Sequence, residues 1–347
     1  MVRYPMINIK FTYKKFFYWT FVALVGSMYV ISLSNMPNEW FRDRDNYLIY
    51  ANYPESIIDL YENKFILIVN EPFFLYSNIW LGKIFENDFI PNFFVYFITT
   101  VFIFFIGYNA KSTIGFIFGL VLSILIPYIL QAELVALRQG LATALFIPFF
   151  FLVKDDKKIL VILLVCAFFH SIFFLFFLFY FLNFFVLSRF SIRKKLIINS
   201  VFMMILSLIG IVVAKYLGLR QGSEYMGVEG DVGGGAFLLF AFVFVYVYAY
   251  GNKDNKRLYE FVMIGLTIFL TSYFLSPVSG RLFNTVAPFL VFLLVSKNRT
   301  IDYIFISFLS VVFLALFLSG SYYELLAVSE LLIPEYFMKY LQSLFSL

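Results

Sequence analysis

Long uninterrupted apolar stretches, cut by short polar breaks, dominate the chain. Runs of near-spanning length fall at 16–34, 92–108, 113–130, 140–153, 159–170, 171–187, 196–214, 236–250, 258–275, 282–296 and 301–320. A membrane helix needs about 20 apolar residues, so the pattern predicts an all-α integral membrane protein with about eleven transmembrane helices. A twelfth is the alternative if the Leu/Tyr-rich tail after Ser321, broken by Pro334, crosses rather than lying at the interface. One stretch has the wrong length for a single pass. Ile159 to Leu187 is continuous and would make a rod of roughly 43 Å against a hydrocarbon core of about 30 Å. Lys154, Lys157 and Lys158 precede it and Arg189, Arg193, Lys194 and Lys195 follow it, and basic clusters at both ends favour the same, cytoplasmic side. The segment 159–187 is therefore expected to be a helical hairpin with His170 and Ser171 at its periplasmic tip.

The polar breaks divide the rest. The chain reads as a single polytopic domain, 1–347, with one large outer loop at 35–91 and a second at 215–235. The first carries Pro37, Pro54 and Pro72 as helix interrupters. Its clustered apolar residues at Phe65–Val69, Pro72–Tyr76 and Ile79–Leu81 suit interfacial helices forming a lid or a substrate wall. The second carries Glu224, Glu229 and Asp231 and ends in Gly233–Gly235, a hinge rather than a phosphate-binding loop, since no Gly-x-Gly-x-x-Gly or Walker-type pattern is present. The stretch Phe16–Leu33 reads as a first span and not a cleaved leader, because Asn35–Asn38 offers no small-residue cleavage site. The chain has no internal repeat of the kind common in secondary transporters.

Composition agrees with this picture. Of 347 residues 62% are hydrophobic and only 14% charged, with 50 Phe. The single cysteine, Cys166, excludes an intramolecular disulfide. The net charge of +5 is spread over short loops, which argues topology and not nucleic-acid binding. With the N-terminus in the cytoplasm, 17 Lys/Arg fall inside and 9 outside, while acids divide 5 and 16. The expected orientation is N-terminus inside and C-terminus outside.

Candidate chemistry gathers near the outer face: Arg42, Asp43, Arg44, Asp45, Glu71, Glu133, Arg138, His170, Arg220, Asp231 and Arg281. Arg138-Gln139-Gly140 follows Gln131-Ala132-Glu133 at an apolar helix boundary. A guanidinium there is either a snorkelling helix-end residue paired with Glu133 or a ligand for an anionic substrate. His170 is either a hydrogen-bonded structural histidine or a general base. Both lie at the outer ends of successive passes and can line one cavity. Arg281, after Ser276–Gly280, is a headgroup-level arginine or a third member of that set. Convergent arginines suit a diphosphate, whose oxygens match the guanidinium fork, and lipid diphosphates are the obvious ligand. Asp43-Arg44-Asp45 resembles a metal-binding Asp-x-Asp pattern, but a local ion-pair cluster explains it as well. No metal and no cofactor are expected.

The runs Leu137-Arg138-Gln139-Gly140-Leu141-Ala142 and Phe168-Phe169-His170-Ser171, with Asp45–Tyr50 and Glu71–Phe74 upstream and Gly280-Arg281-Leu282 downstream, resemble the core pattern of the EpsG-like group of bacterial polysaccharide polymerases, related to the Wzy O-antigen polymerases. The resemblance implies a GT-C-like inner-membrane glycosyltransferase acting on undecaprenyl-diphosphate-linked oligosaccharide at the periplasmic face. Its partners would be that lipid-linked glycan, membrane lipid and a chain-length regulator protein, with no nucleic acid. Under it His170, Arg138 and Asp45 are the candidate catalytic residues. Arg281, Arg42, Arg44, Gln139, Tyr47 and Glu71 are the candidate substrate-binding ones. An O-antigen ligase-like transferase would use a similar site. A polysaccharide-lipid flippase would need polar residues at mid-depth, and a membrane acyltransferase would place its histidine on the cytoplasmic side.

Overall fold

The computed structural model describes residues 13–61, 71–216, 233–276 and 278–328, together with 335, 338 and 340. Arg220, Asp231, the apolar cluster at 65–69 and most of the second outer loop lie outside the described residues. Among those described the protein is all-helical, and its only β-type pairing is an isolated bridge between Phe41 and Leu326.

The helices are α1 (Tyr13–Ser34), α2 (Arg44–Asn52), α3 (Pro54–Asp59), α4 (Pro72–Leu81), α5 (Ile90–Ala110), α6 (Thr113–Leu125), α7 (Pro127–Leu130), α8 (Leu137–Leu152), α9 (Asp156–Ala167), α10 (Phe173–Phe181), α11 (Ile192–Tyr216), α12 (Gly235–Tyr250), α13 (Lys256–Ser272), α14 (Val278–Leu294) and α15 (Thr300–Leu318). Each apolar run of the sequence thus contains a helix. By length and composition three helical stretches can cross a membrane: Tyr13–Ser34, Asn87–Ala110 and Thr300–Leu318. A fourth arises if the bent pair Thr113–Leu125 and Pro127–Val135 is one span. The 75° bend in that pair has a local cause. Pro127 pushes Ile126 into extended backbone (φ −84°, ψ 112°), so α6 must stop before it.

Helix starts follow capping chemistry. Pro opens α3, α4 and α7, where its missing N–H is not needed. Ser112, Asp155 and Asn255 accept a backbone N–H at the first turns of α6, α9 and α13. The centre of the bundle is α13 packed on α14, with α5 and α8 against them. Gly265 makes the first contact possible: a Cβ there would stand 2.5 Å from Val286. Phe146, Phe150, Phe261 and Phe289 fill the space between α8, α13 and α14, with ring centroids 4.7–5.9 Å apart. At the periphery, α1 buries only 22% of its apolar window and α15 28%, against 56% for α5, so their outer faces are the apolar surface turned away from the protein.

Residues 159–187 are not one rod. Helix α9 ends at Ala167, a turn occupies 168–172, and α10 returns antiparallel, because the Tyr180 hydroxyl donates to Asp156 Oδ1 at 2.6 Å. The end of the bundle opposite this turn is stitched by ions. Arg257 donates to the carbonyls of Phe150, Val153 and Lys154 and pairs with Asp156 at 2.9 Å, satisfying the last carbonyls of α8. Lys195 and Glu260, both buried, pair at 2.7 Å between α11 and α13. Asn183, in the π-helical turn Leu182–Val186 that follows α10, and Asn199 of α11 exchange amide hydrogen bonds.

Candidate functional site

At the other end, three chain segments converge on the carboxylate of Glu71. Oε2 accepts from Arg138 Nη1 at 2.6 Å, and Oε1 lies 3.8 Å from His170 Nε2. Oε1 also accepts from the backbone N–H of Ser171 at 3.1 Å and from its hydroxyl at 3.5 Å. The Arg138 guanidinium rests over the Tyr50 ring at 5.3 Å, with Tyr47 close enough to act on its charge. Its Nε is buried and has no partner among the described residues, while about 35% of the side chain is exposed and open to a ligand.

Each segment is aimed by local structure. Glu71 has φ 61° and ψ 50°, a left-handed conformation that the following Pro72 further disfavours. Such a residue costs about 1–3 kcal/mol and persists only where its surroundings hold it. Here Phe73 N–H donates to the Phe168 carbonyl at 3.1 Å, and the Phe73 ring contacts Phe168 and Phe169 at 5.2 and 5.6 Å, docking the start of α4 onto the hairpin turn. Arg138 is placed by a π-helical turn, Gln131–Val135, followed by non-helical Ala136 at φ −88°, ψ 60°. Gly140 lets α8 close onto that turn, because a Cβ there would sit 1.9 Å from the Ala132 carbonyl oxygen. The turn is held from outside by Arg44, whose Nε donates to the Leu134 carbonyl at 2.6 Å, and by Tyr29, whose hydroxyl donates to Glu133 at 2.7 Å.

His170 lies in the turn between α9 and α10, outside both helices. Its Nδ1 accepts the Ile172 N–H at 3.3 Å, which places the ring proton on Nε2, facing Glu71. Burial holds the imidazole below its ordinary value. The charges of Arg138 and Arg281 act the same way and that of Glu71 opposes them, so the ring is neutral near pH 7. Arg281 is exposed in the first turn of α14. Gln139, fully buried, ties that turn to α8: its amide donates to the Arg281 carbonyl and, at 2.8 Å, to Thr285 Oγ1.

The structure thus brings together Glu71, Tyr47, Arg138 and His170, with Arg281 close enough to act on the imidazole. It does not bring the others into this network. The alternative partner of Arg138, Glu133, is a full turn away in function: it bonds Tyr29 while Arg138 bonds Glu71, because the π turn points the two side chains apart. Arg44 is buried, bonded to Leu134 and to Asn38 at 2.7 Å, and burial pulls its guanidinium down to about 10. Asp45 and Arg42 are exposed, and the Arg42 backbone pairs with Leu325 at 3.2 Å. Gln139 positions a helix rather than facing the cluster. Tyr50 and Ser171 belong to the site without having been singled out for it. Tyr50 carried a signal, since it follows Tyr47 by one helical turn and shares its face. Among the described residues no group of three or more His, Cys, Asp or Glu side chains could hold a metal ion.

The model of the EpsG family matches residues 18–340. No curated protein and no solved structure matches the chain.

Proposed function

The chain belongs to the EpsG family, and from that membership and the convergence at Glu71 we propose that it is a membrane polysaccharide polymerase. The donor is a growing glycan on a lipid diphosphate such as undecaprenyl diphosphate. The acceptor is a hydroxyl of a lipid-linked repeat unit. The acceptor oxygen bonds to the anomeric carbon as the bond from that carbon to the diphosphate breaks, and the hydroxyl proton passes to a base.

His170 supplies that base through Nδ1, whose lone pair holds only the long bond from Ile172. Glu71, opposite Nε2, stabilises the imidazolium that forms. Arg138, with Arg281 across the Gln139 bridge, neutralises charge growing on the departing diphosphate. Arg42 and Asp45 are within the same outer region as accessory contacts for substrate, and Arg44 supports the site through Leu134. The apolar helices are read as eleven passes with the N-terminus in the cytoplasm. Supporting that orientation, Lys111, Lys154, Lys195, Arg257 and Arg299 all lie at the end opposite Glu71.

The observation that carries the reading is the 2.6 Å pair of Arg138 with Glu71 beside His170 at one end of the bundle. In cells, Arg138→Ala and His170→Ala are each expected to abolish long-chain glycan and to accumulate single lipid-linked units on the outer face. Normal chain lengths in both variants would refute the assignment. Single units accumulating on the inner face would indicate a flippase.

A further inference from the structure

Helices α2 and α4 present a second feature on their far ends. A cleft of about 300 Å³ opens between the end of α2, the start of α3 and the end of α4, lined by Asn52, Tyr53, Glu55, Asn78, Lys83 and Asn87 among others. It is separate from the Glu71 cluster yet built on the same two helices. Along α4, Asn78 is seven residues beyond Glu71, about 10 Å at 1.5 Å per residue, which is the reach of a short saccharide.

Its chemistry is specific. Three carboxamides line one space; the Asn52 amide already donates to the Leu48 carbonyl at 3.0 Å and to Asp88, and Asn78 to Phe74, so what they chiefly offer hydroxyl groups is carbonyl acceptors. Asn78 is 1% exposed; its Nδ2 donates to the Phe74 carbonyl at 2.8 Å, while its Oδ1 has no hydrogen-bond partner. A buried carbonyl left unpaired costs about 1–3 kcal/mol, which a ligand hydroxyl would recover. Gly82 keeps the wall open to Asn87, since a Cβ there would stand 2.9 Å from Asn87 Oδ1. The Tyr53 side chain is 63% exposed, an uncovered aromatic face at the rim. Charge argues against an anion. Lys83 is the one cation among the lining residues, opposed by Glu55, and Asp88 bonds Asn52 at 3.2 Å beside the cleft. The volume is at the small end of ligand sites, enough for one or two sugar rings.

We propose that this cleft is a neutral-saccharide subsite that grips the glycan about 10 Å from the reacting cluster. It rests on the polymerase reading for the identity of the glycan, but binding can be measured without turnover. The probe is a set of oligosaccharides of one to several repeat units, released by mild acid from polysaccharide of the strain that encodes the chain. Full-length protein in lipid nanodiscs is titrated with them by saturation-transfer NMR.

Saturable binding is expected in the wild type and in Arg138→Ala. In Asn52→Ala/Tyr53→Ala it should weaken at least tenfold, with a several-fold fall in glycan chain length in cells. These two side chains are exposed, so the variant should fold; equal membrane levels and unfolding midpoints check this, and Lys83→Ala provides a second variant. Binding within twofold of wild type in both variants overturns the subsite. So does displacement of the oligosaccharide by inorganic pyrophosphate, which would make the cleft an anion site. If Arg138→Ala polymerises normally, the polymerase mechanism fails while the binding result stands or falls by itself.

Discussion

Replacing Glu71 by Gln keeps its size and backbone but removes the charge that joins Arg138 to His170. A charge-assisted hydrogen bond contributes about 1.5–3 kcal/mol net. Arg138 is 35% exposed and Glu71 10%, so solvent screens part of this, and a loss of about 2 kcal/mol in stability is expected. The effect on rate should be larger. Without the 2.6 Å anchor the guanidinium is free to leave the position in which, under the proposed function, it meets the diphosphate, and losing one such donor costs about 10²–10³ in rate. Activity per folded molecule in membranes, read as the glycan ladder from lipid-linked substrate, should therefore fall about a hundredfold or more, well beyond the drop in folded protein. Because Glu71 acts partly through Arg138 and partly on His170, Glu71→Gln/Arg138→Ala should be worse than Arg138→Ala alone but lose less than the two single losses combined. A Glu71→Gln variant with wild-type turnover per folded molecule, or strictly additive losses in the double variant, would refute the reasoning and leave Glu71 as a structural residue.

Three further outcomes are expected. Gly140→Ala puts a methyl group 1.9 Å from the Ala132 oxygen, forcing α8 to shift by about 1 Å; since such misplacement can cost about 10²-fold, glycan synthesis should collapse, and near-normal chain length would show the close contact is relaxed without consequence. Burial and the neighbouring arginines hold His170 below 6.5, so the unprotonated ring persists on acidification and the acid limb of kcat/KM should lie below 6.5. Glu71→Gln should move that limb further toward acid, because the Glu71 charge raises the His170 value; a limb at or above 6.5 in the wild type removes His170 as the group reported. At the opposite end, Lys195→Met leaves buried Glu260 with only the exposed Lys256, 3.8 Å away, and should cost about 3 kcal/mol, the lower end for a broken buried pair, seen as lost protein and a lower unfolding midpoint, while Lys195→Met/Glu260→Met should recover most of it; a single variant as stable as wild type would contradict the burial of the pair.

Part of this protein is readable from local pattern. Apolar runs and polar breaks mark where helices form, because a backbone deprived of water must satisfy its own hydrogen bonds and helices do so within one segment. The excess length of 159–187 announces a break, whereas the run 113–130 reads as one span and its bend at Pro127 appears only in the structure. Arg138 and His170 stand out for the same reason, as polar groups in apolar surroundings.

Partnership is another matter. Glu71 meets Arg138 across 67 residues and Ser171 across 100, and Gln139 reaches the Arg281 carbonyl across 142. The neighbour in sequence, Glu133, is drawn to Tyr29 by a π turn that no spacing reveals. Arg44, one of a conspicuous charge triplet, turns inward to a carbonyl. The sequence by itself determined which segments are helical and which residues are chemically costly where they stand, since both depend on transfer from water and on short-range periodicity. Only the tertiary structure decided which costly groups answer one another, because a single left-handed residue at Glu71 or one missing Cβ at Gly140 redirects a side chain, and its effect is set by what packs against it.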